Sequence, residues 1–229
     1  MSDAANQWTK FYTTNTEMMY PAEAVIRIFK GQYPNLKMPK PKPGDSILDV
    51  GCGDGRHFPL FASLGMKMAG TELTQEIIDA VAGRLSFDSY VDLRGGDCTD
   101  LPWDEASFDY LLSWNSCYYM HGGEGFSSHV NEMARVIKAG GWIVCSIPKA
   151  NCFIFKGCEP CDRISPGYVT IRDDYFGIRD GEVMRQFHDR DEIENAFAGN
   201  FTNFCHADID INMFGLAYNW HVFTAERRT

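Results

Sequence analysis

The sequence has no surplus of positive charge: 21 Lys and Arg stand against 31 Asp and Glu, a formal net charge of −10 with histidines neutral. Binding nucleic acid without regard to sequence needs basic side chains that displace phosphate counterions, so that function is not expected, and no nucleic-acid partner is assigned. The first ten residues, MSDAANQWTK, lack a basic stretch followed by an apolar run. No secretory signal is read there, and the expected location is the cytoplasm. Nowhere do about 18 apolar residues follow one another, so no bilayer-spanning helix is expected. Eight cysteines are present, but they are scattered from Cys52 to Cys205, and the one close pair is Cys158-Glu-Pro-Cys161. A structural zinc site usually needs two such pairs or a pair with two histidines, so reduced thiols and no metal are expected.

What is present is enough apolar residues, 45% of the chain, to build one substantial core. From residue 46 onward, short β-rich runs alternate with helical periodicity, the pattern of a parallel sheet with crossover helices. Strands are expected at Ser46–Val50, Met66–Thr71, Val91–Arg94, Phe108–Ser113 and Trp142–Ile147. Helices are expected from Phe58 to Leu64, closed by Gly65, and after Thr74, an N-cap for Ile77, Ile78, Val81 and Leu85. A further helix carries Val130, Met133, Ala134 and Ile137 until Gly140-Gly141. Two late strands, near 204–212 and 218–225, suit an antiparallel edge hairpin, preceded by a helix over 189–197. The expected fold is therefore α/β and Rossmann-like: a mainly parallel seven-stranded sheet with an antiparallel edge hairpin and helices on both faces. One domain is read, with an N-terminal cap (1–45, one helix near 21–31), a core (46–150), a lid or substrate insert (151–188) and closing elements (189–229).

The chemistry-bearing segment is the first turn. A strand ending in Asp49 runs into Gly51-Cys52-Gly53-Asp-Gly55 and then a helix, which leaves bare backbone open to a ligand. Glu72 follows Gly53 by 19 residues, at the end of the next strand. That spacing suits a carboxylate accepting both hydroxyls of a ribose, so a nucleoside-containing cofactor is expected. A dinucleotide fingerprint needs a small residue where Arg56 stands, which disfavours a nicotinamide-dependent oxidoreductase, and no phosphate-binding GxxxxGK[ST] loop occurs.

Ile47-Leu-Asp-Val-Gly-Cys-Gly-Asp-Gly55, Gly70-Thr-Glu72, Gly96-Asp97-Cys98 with Leu101-Pro102, and Arg135 to Trp142 resemble, in order, the motifs of the class I S-adenosylmethionine-dependent methyltransferases. The resemblance covers about residues 44–150 and implies S-adenosylmethionine as cofactor. It implies that Gly51, Cys52 and Gly53 pass the methionine part, Glu72 binds the ribose diol with Leu73 adjoining, and Asp97 and Cys98 meet the adenine. The same resemblance implies that Asp49 acts on the cofactor amino group through water and that Ser113 and Trp114 face that group, with Tyr20 of the cap expected to close the site.

Where that family often carries a pair of histidines, this chain has Tyr118 and Tyr119. Tyr118 with His121 is the expected proton relay, and Tyr12, Tyr20 and the insert are expected lid pieces. His57 stands either in the pocket or at the surface. Scattered cations (Arg27, Lys30, Lys149, Arg172, Arg179, Arg185) offer contacts to a phosphate or carboxylate. The expected function is methylation of an O or N atom of a small metabolite, anionic or sugar-related, by a monomer or homodimer. A non-catalytic binder of the same cofactor is the alternative of a different class.

Overall fold

The computed structural model describes residues 3–14, 20–85, 90–120, 125–161 and 166–229. Five parallel strands form its centre: β1 (Ser46–Val50), β2 (Lys67–Glu72), β3 (Val91–Gly95), β4 (Phe108–Trp114) and β5 (Ile137–Pro148). The hairpin β9 (Phe201–Met213) and β10 (Leu216–Arg227) completes a seven-stranded sheet in the order β3-β2-β1-β4-β5-β10-β9, β10 lying antiparallel to β5. Its turn, Phe214-Gly215, has positive φ at both residues (51° and 98°), which matches the twist of the flanking strands.

Helices cover both faces. Helices α2 (Glu23–Lys30), α3 (Phe58–Ser63) and α4 (Gln75–Arg84) bury Phe29, Phe61 and Val81 against Ile47, Leu112 and Val144. On the other face α5 (Phe126–Val136) and α6 (Arg190–Phe197) bury Val130, Met133 and Phe197 against Leu48, Leu111 and Phe223. Alternation along each central strand serves both cores at once, which is why these strands read as nearly continuous apolar runs. Capping fixes two helix starts: Thr74 Oγ1 accepts from Ile77 N–H at 3.4 Å, and Asp189 Oδ1 from Glu192 N–H at 2.8 Å.

Three elements add to the sequence expectation or depart from it. The cap holds a second helix, α1 (Asp3–Thr14), in addition to α2. Ile137 does not continue α5; it pairs with Phe108 as the first residue of β5, and the register slips before Tyr110 meets Trp142. Gly140, with φ of 75°, supplies the kink that this slip requires. The insert carries β6 (Glu159–Pro160), β7 (Tyr168–Thr170) and β8 (Val183–Arg185), a small antiparallel sheet. Main-chain bonds tie it to the segment after β4, Met120 N–H donating to Val183 O and Arg185 N–H to Tyr118 O.

All eight cysteines are free thiols. Among the described residues no three metal-ligating side chains converge, and no helix is long and apolar enough to cross a membrane.

Candidate active site

The sheet order reverses between β1 and β4, and crevices at such a reversal, beyond the carboxyl ends of the strands, are where open α/β sheets hold ligands. A cleft lies there, lined by Val50, Gly51, Thr71, Glu72, Leu73 and Gly96-Asp97-Cys98 on the strand ends. Asn115, Ser116 and Tyr119 after β4, His129 of α5, and Trp8 and Tyr12 of α1 close it.

The glycine turn has the conformation its residues permit. Gly51 and Gly53 sit at φ of 68° and 61°. A Cβ on Gly51 would come within 2.6 Å of Ser116 Cβ, and one on Gly53 within 2.8 Å of the Tyr12 hydroxyl, so bare backbone is required at both. The turn is pinned to β2 by Gly51 and Cys52 N–H, both donating to Thr71 O.

Glu72 is buried, 6% exposed, yet has no cation partner among the described residues. Its Oε1 accepts from Gly53 N–H at 2.7 Å and its Oε2 from Leu73 N–H at 3.2 Å. Burial pushes its pKa up to about 7, with the two backbone donors opposing that rise. Asp97 Oδ1 accepts from both the N–H and the hydroxyl of Thr99, at 2.7 and 2.5 Å, which fixes the carboxylate at the cleft wall beside Cys98.

Of the residues singled out in the sequence, Gly51, Glu72, Leu73, Asp97 and Cys98 line this cleft, and Gly53 underlies it through its bond to Glu72. Asp49 is buried one layer below, its Oδ2 3.0 Å from Nδ1 of the equally buried His57. Cys52 packs into the core under α3, and burial pushes its thiol pKa well up. Ser113 is also buried, its hydroxyl 2.9 Å from that of Ser116, which donates to Val50 O at 2.5 Å. Trp114 lines a separate groove against α2 and β9, and Tyr20 is 91% exposed. Tyr118 is 1% exposed and stacks beneath Tyr119, whose ring forms the cleft wall. His121 lies outside the described residues.

Trp8, Tyr12, Thr71, Asn115, Ser116, Tyr119 and His129 complete the lining. Tyr12 was legible as a lid piece and Tyr119 as a departure from the histidine pair, but Trp8 and His129 come from elements whose packing no local pattern reports. Trp8 is held by donation of Nε1–H to Glu182 Oε1 at 3.0 Å, and His129 by Nδ1 at 2.7 Å from Cys117 O. Tyr119 accepts from Arg179 Nε–H at 3.1 Å.

Residues 48–145 match the methyltransferase domain family. Demethylmenaquinone methyltransferase of Clavibacter sepedonicus is 30% identical over 105 residues, 45% of this chain and 41% of its own length. Ajmaline N-methyltransferase of Rauvolfia serpentina is 29% identical over 110 residues, 46% and 36% of the two chains. The chain thus spans less than half the length of these curated relatives. Among solved structures, a SAM-dependent methyltransferase of Methanosarcina mazei aligns with TM-score 0.65 at 16% identity, covering 92% of this chain and 99% of its own. 1,6-Didemethyltoxoflavin-N1-methyltransferase of Burkholderia thailandensis, solved with its acceptor and S-adenosylhomocysteine, aligns with TM-score 0.61 at 16% identity, covering 94% and 80%. At those identities the structural likeness is one of fold. Over residues 48–145 this chain is thus similar to methyltransferase domains, and its fold is shared with solved S-adenosylmethionine-dependent methyltransferases.

Proposed function

We propose that this protein transfers the methyl group of S-adenosylmethionine to an oxygen or nitrogen atom of a small metabolite. The observation that carries the reading is Glu72: a buried carboxylate with no cation partner among the described residues, held by two main-chain N–H donors at the end of β2 in a cleft that Asp97 also lines. A carboxylate so placed accepts both hydroxyls of a ribose, and Asp97 with Cys98 meets the adenine edge. Gly51 and Gly53 leave the backbone bare for the methionine part.

When bound, the cofactor supplies an electrophilic methyl: the acceptor's lone pair forms the new bond as the sulfur–carbon bond breaks, that pair passes to sulfur, and the acceptor releases its proton. For such a displacement the protein's main contribution is alignment and exclusion of water. Trp8 and Tyr12 of α1 and Tyr119 after β4 cover the cleft and do both. Of the scattered cations read as contacts for an anionic or sugar-related acceptor, Arg179 is the one that touches the wall residues Tyr119 and Trp8. Arg27, by contrast, pairs with Glu23 beside the other groove, and Lys149 pairs with Asp208 and Asp210.

Incubation with methyl-labelled S-adenosylmethionine and a small-molecule extract tests the reading. A labelled product that is lost in the Gly51→Val variant is expected. Retention of cofactor binding with no product from any extract would instead assign a non-catalytic binder.

A further inference from the structure

The wall shared by the cleft and the insert is aromatic over a long distance. Trp8 meets Tyr119 edge-on at 5.7 Å, and Tyr119 stacks on Tyr118 at 5.0 Å. Across Arg179 the series continues in Phe153, which contacts Phe176 at 5.6 Å and Tyr218 at 4.7 Å. Ordinary core aromatics are buried, but here Phe176 is 48% and its neighbour Tyr175 70% exposed. Exposed rings joined to the cleft wall through Arg179 offer an apolar face to a ligand.

Arg179 joins the two halves. Its guanidinium lies 5.7 Å over the Trp8 ring and 5.9 Å over that of Phe153. Nε donates to the Tyr119 hydroxyl, and Nη1 reaches both oxygens of Asp174 at 3.2 and 3.3 Å. Among the described residues Nη2 donates to no group, and the atom is not fully buried, so two N–H donors stay accessible there. The charge around it is already balanced: Asp174, whose side chain is 0% exposed, answers the guanidinium, and the buried Glu182 stands close by. An anionic acceptor would meet two carboxylates for one cation, and a sugar would leave the apolar ring faces poorly covered.

Resting on the methyl-transfer reading above, we infer that the acceptor is an uncharged planar aromatic compound bearing a carbonyl or phenolic oxygen. Its ring lies on the Phe153–Phe176–Tyr218 surface, and its oxygen takes the Arg179 Nη2 donors. Flat rings gain from offset or edge contact with such a surface and from the guanidinium face, and an oxygen acceptor satisfies the donors without adding charge.

Calorimetry on protein saturated with S-adenosylhomocysteine tests this, with 4-hydroxyacetophenone as probe. Its saturated cyclohexyl analogue, 4-hydroxybenzoate and glucose are the comparisons. The aromatic ketone is expected to bind at least about tenfold more tightly than any of the three, and Phe176→Ala and Arg179→Gln each to weaken it about tenfold. Phe176 lies at the surface, so its truncation keeps the fold and the S-adenosylhomocysteine affinity. No binding of the ketone, equal binding of the cyclohexyl analogue, tighter binding of the benzoate or glucose, or indifference to Phe176→Ala would overturn the inference. Failure of S-adenosylhomocysteine itself to bind would instead remove the cofactor reading on which it rests.

Discussion

Glu72 concentrates the chemistry of the site in one titration. Its pKa near 7 belongs to the free protein, where burial disfavours the charge. A ribose diol donates to a carboxylate, so the ionised form is the one that binds. S-adenosylhomocysteine affinity should therefore be constant above about pH 8 and fall by up to tenfold per unit below about pH 6.5, and Glu72→Gln should flatten that dependence. Stability follows the opposite course. A carboxyl raised above its ordinary value in the fold contributes stability that is complete below the unfolded value, near 4.5, and is lost as pH rises through about 7. Denaturant melts of the free protein at pH 5 and 8 should show wild type losing stability across that window and Glu72→Gln losing less. Gly51 is the second sensitive residue: any side chain meets Ser116 and an unfavourable φ together, so Gly51→Ala should cost about 2 kcal/mol or more in the same melts.

Among the elements, α1 ties the cleft to the rest of the chain. Thr9 Oγ1 lies 2.9 Å from Thr74 Oγ1, the cap of α4, and Trp8 is bonded to Glu182 of the insert. Thr74→Ala removes both a helix cap and this link, and should cost about 1 kcal/mol of stability in a denaturant melt. The cleft beneath α1 encloses about 80 Å³, against the roughly 300 Å³ at which ligand sites begin, so outward movement of α1 is expected if the proposed cofactor seats there. Legibility in the sequence follows the same division. The β1 turn and Glu72 were readable because their geometry is set by neighbours in sequence, and the edge hairpin because two long runs flank a short turn. Helix α1 was not read, because Asp3–Thr14 mixes Trp8, Phe11 and Tyr12 with polar residues on one surface that only the assembled cleft buries. Ile137 kept helical spacing, but the pairing with Phe108 overrode it. Tyr118 and Tyr119 are adjacent, and the main-chain pairing of the insert with residues 118–120 is what places one beneath the other.

At the scale of the whole molecule, the net charge of −10 sets the background in which the site works. It opposes anionic partners, in keeping with a balanced charge at Arg179, and duplex DNA should give no gel shift at physiological salt. The matched domain ends at residue 145, and the parts beyond it, the insert and the β9–β10 hairpin, supply Arg179, Phe176 and Tyr218 of the proposed acceptor surface. The segment that matches the methyltransferase domain thus supplies most of the proposed cofactor cleft, and the segments beyond it supply the proposed acceptor surface. The most direct test of the whole account is a calorimetric titration of S-adenosylhomocysteine into wild type and Glu72→Ala at pH 8. Binding at one site per chain, weakened in the variant by about 2 kcal/mol or roughly thirtyfold, is predicted from the loss of a charged hydrogen-bond acceptor. Equal affinity in the two proteins, or binding of NAD(P)H in place of S-adenosylhomocysteine, would contradict it.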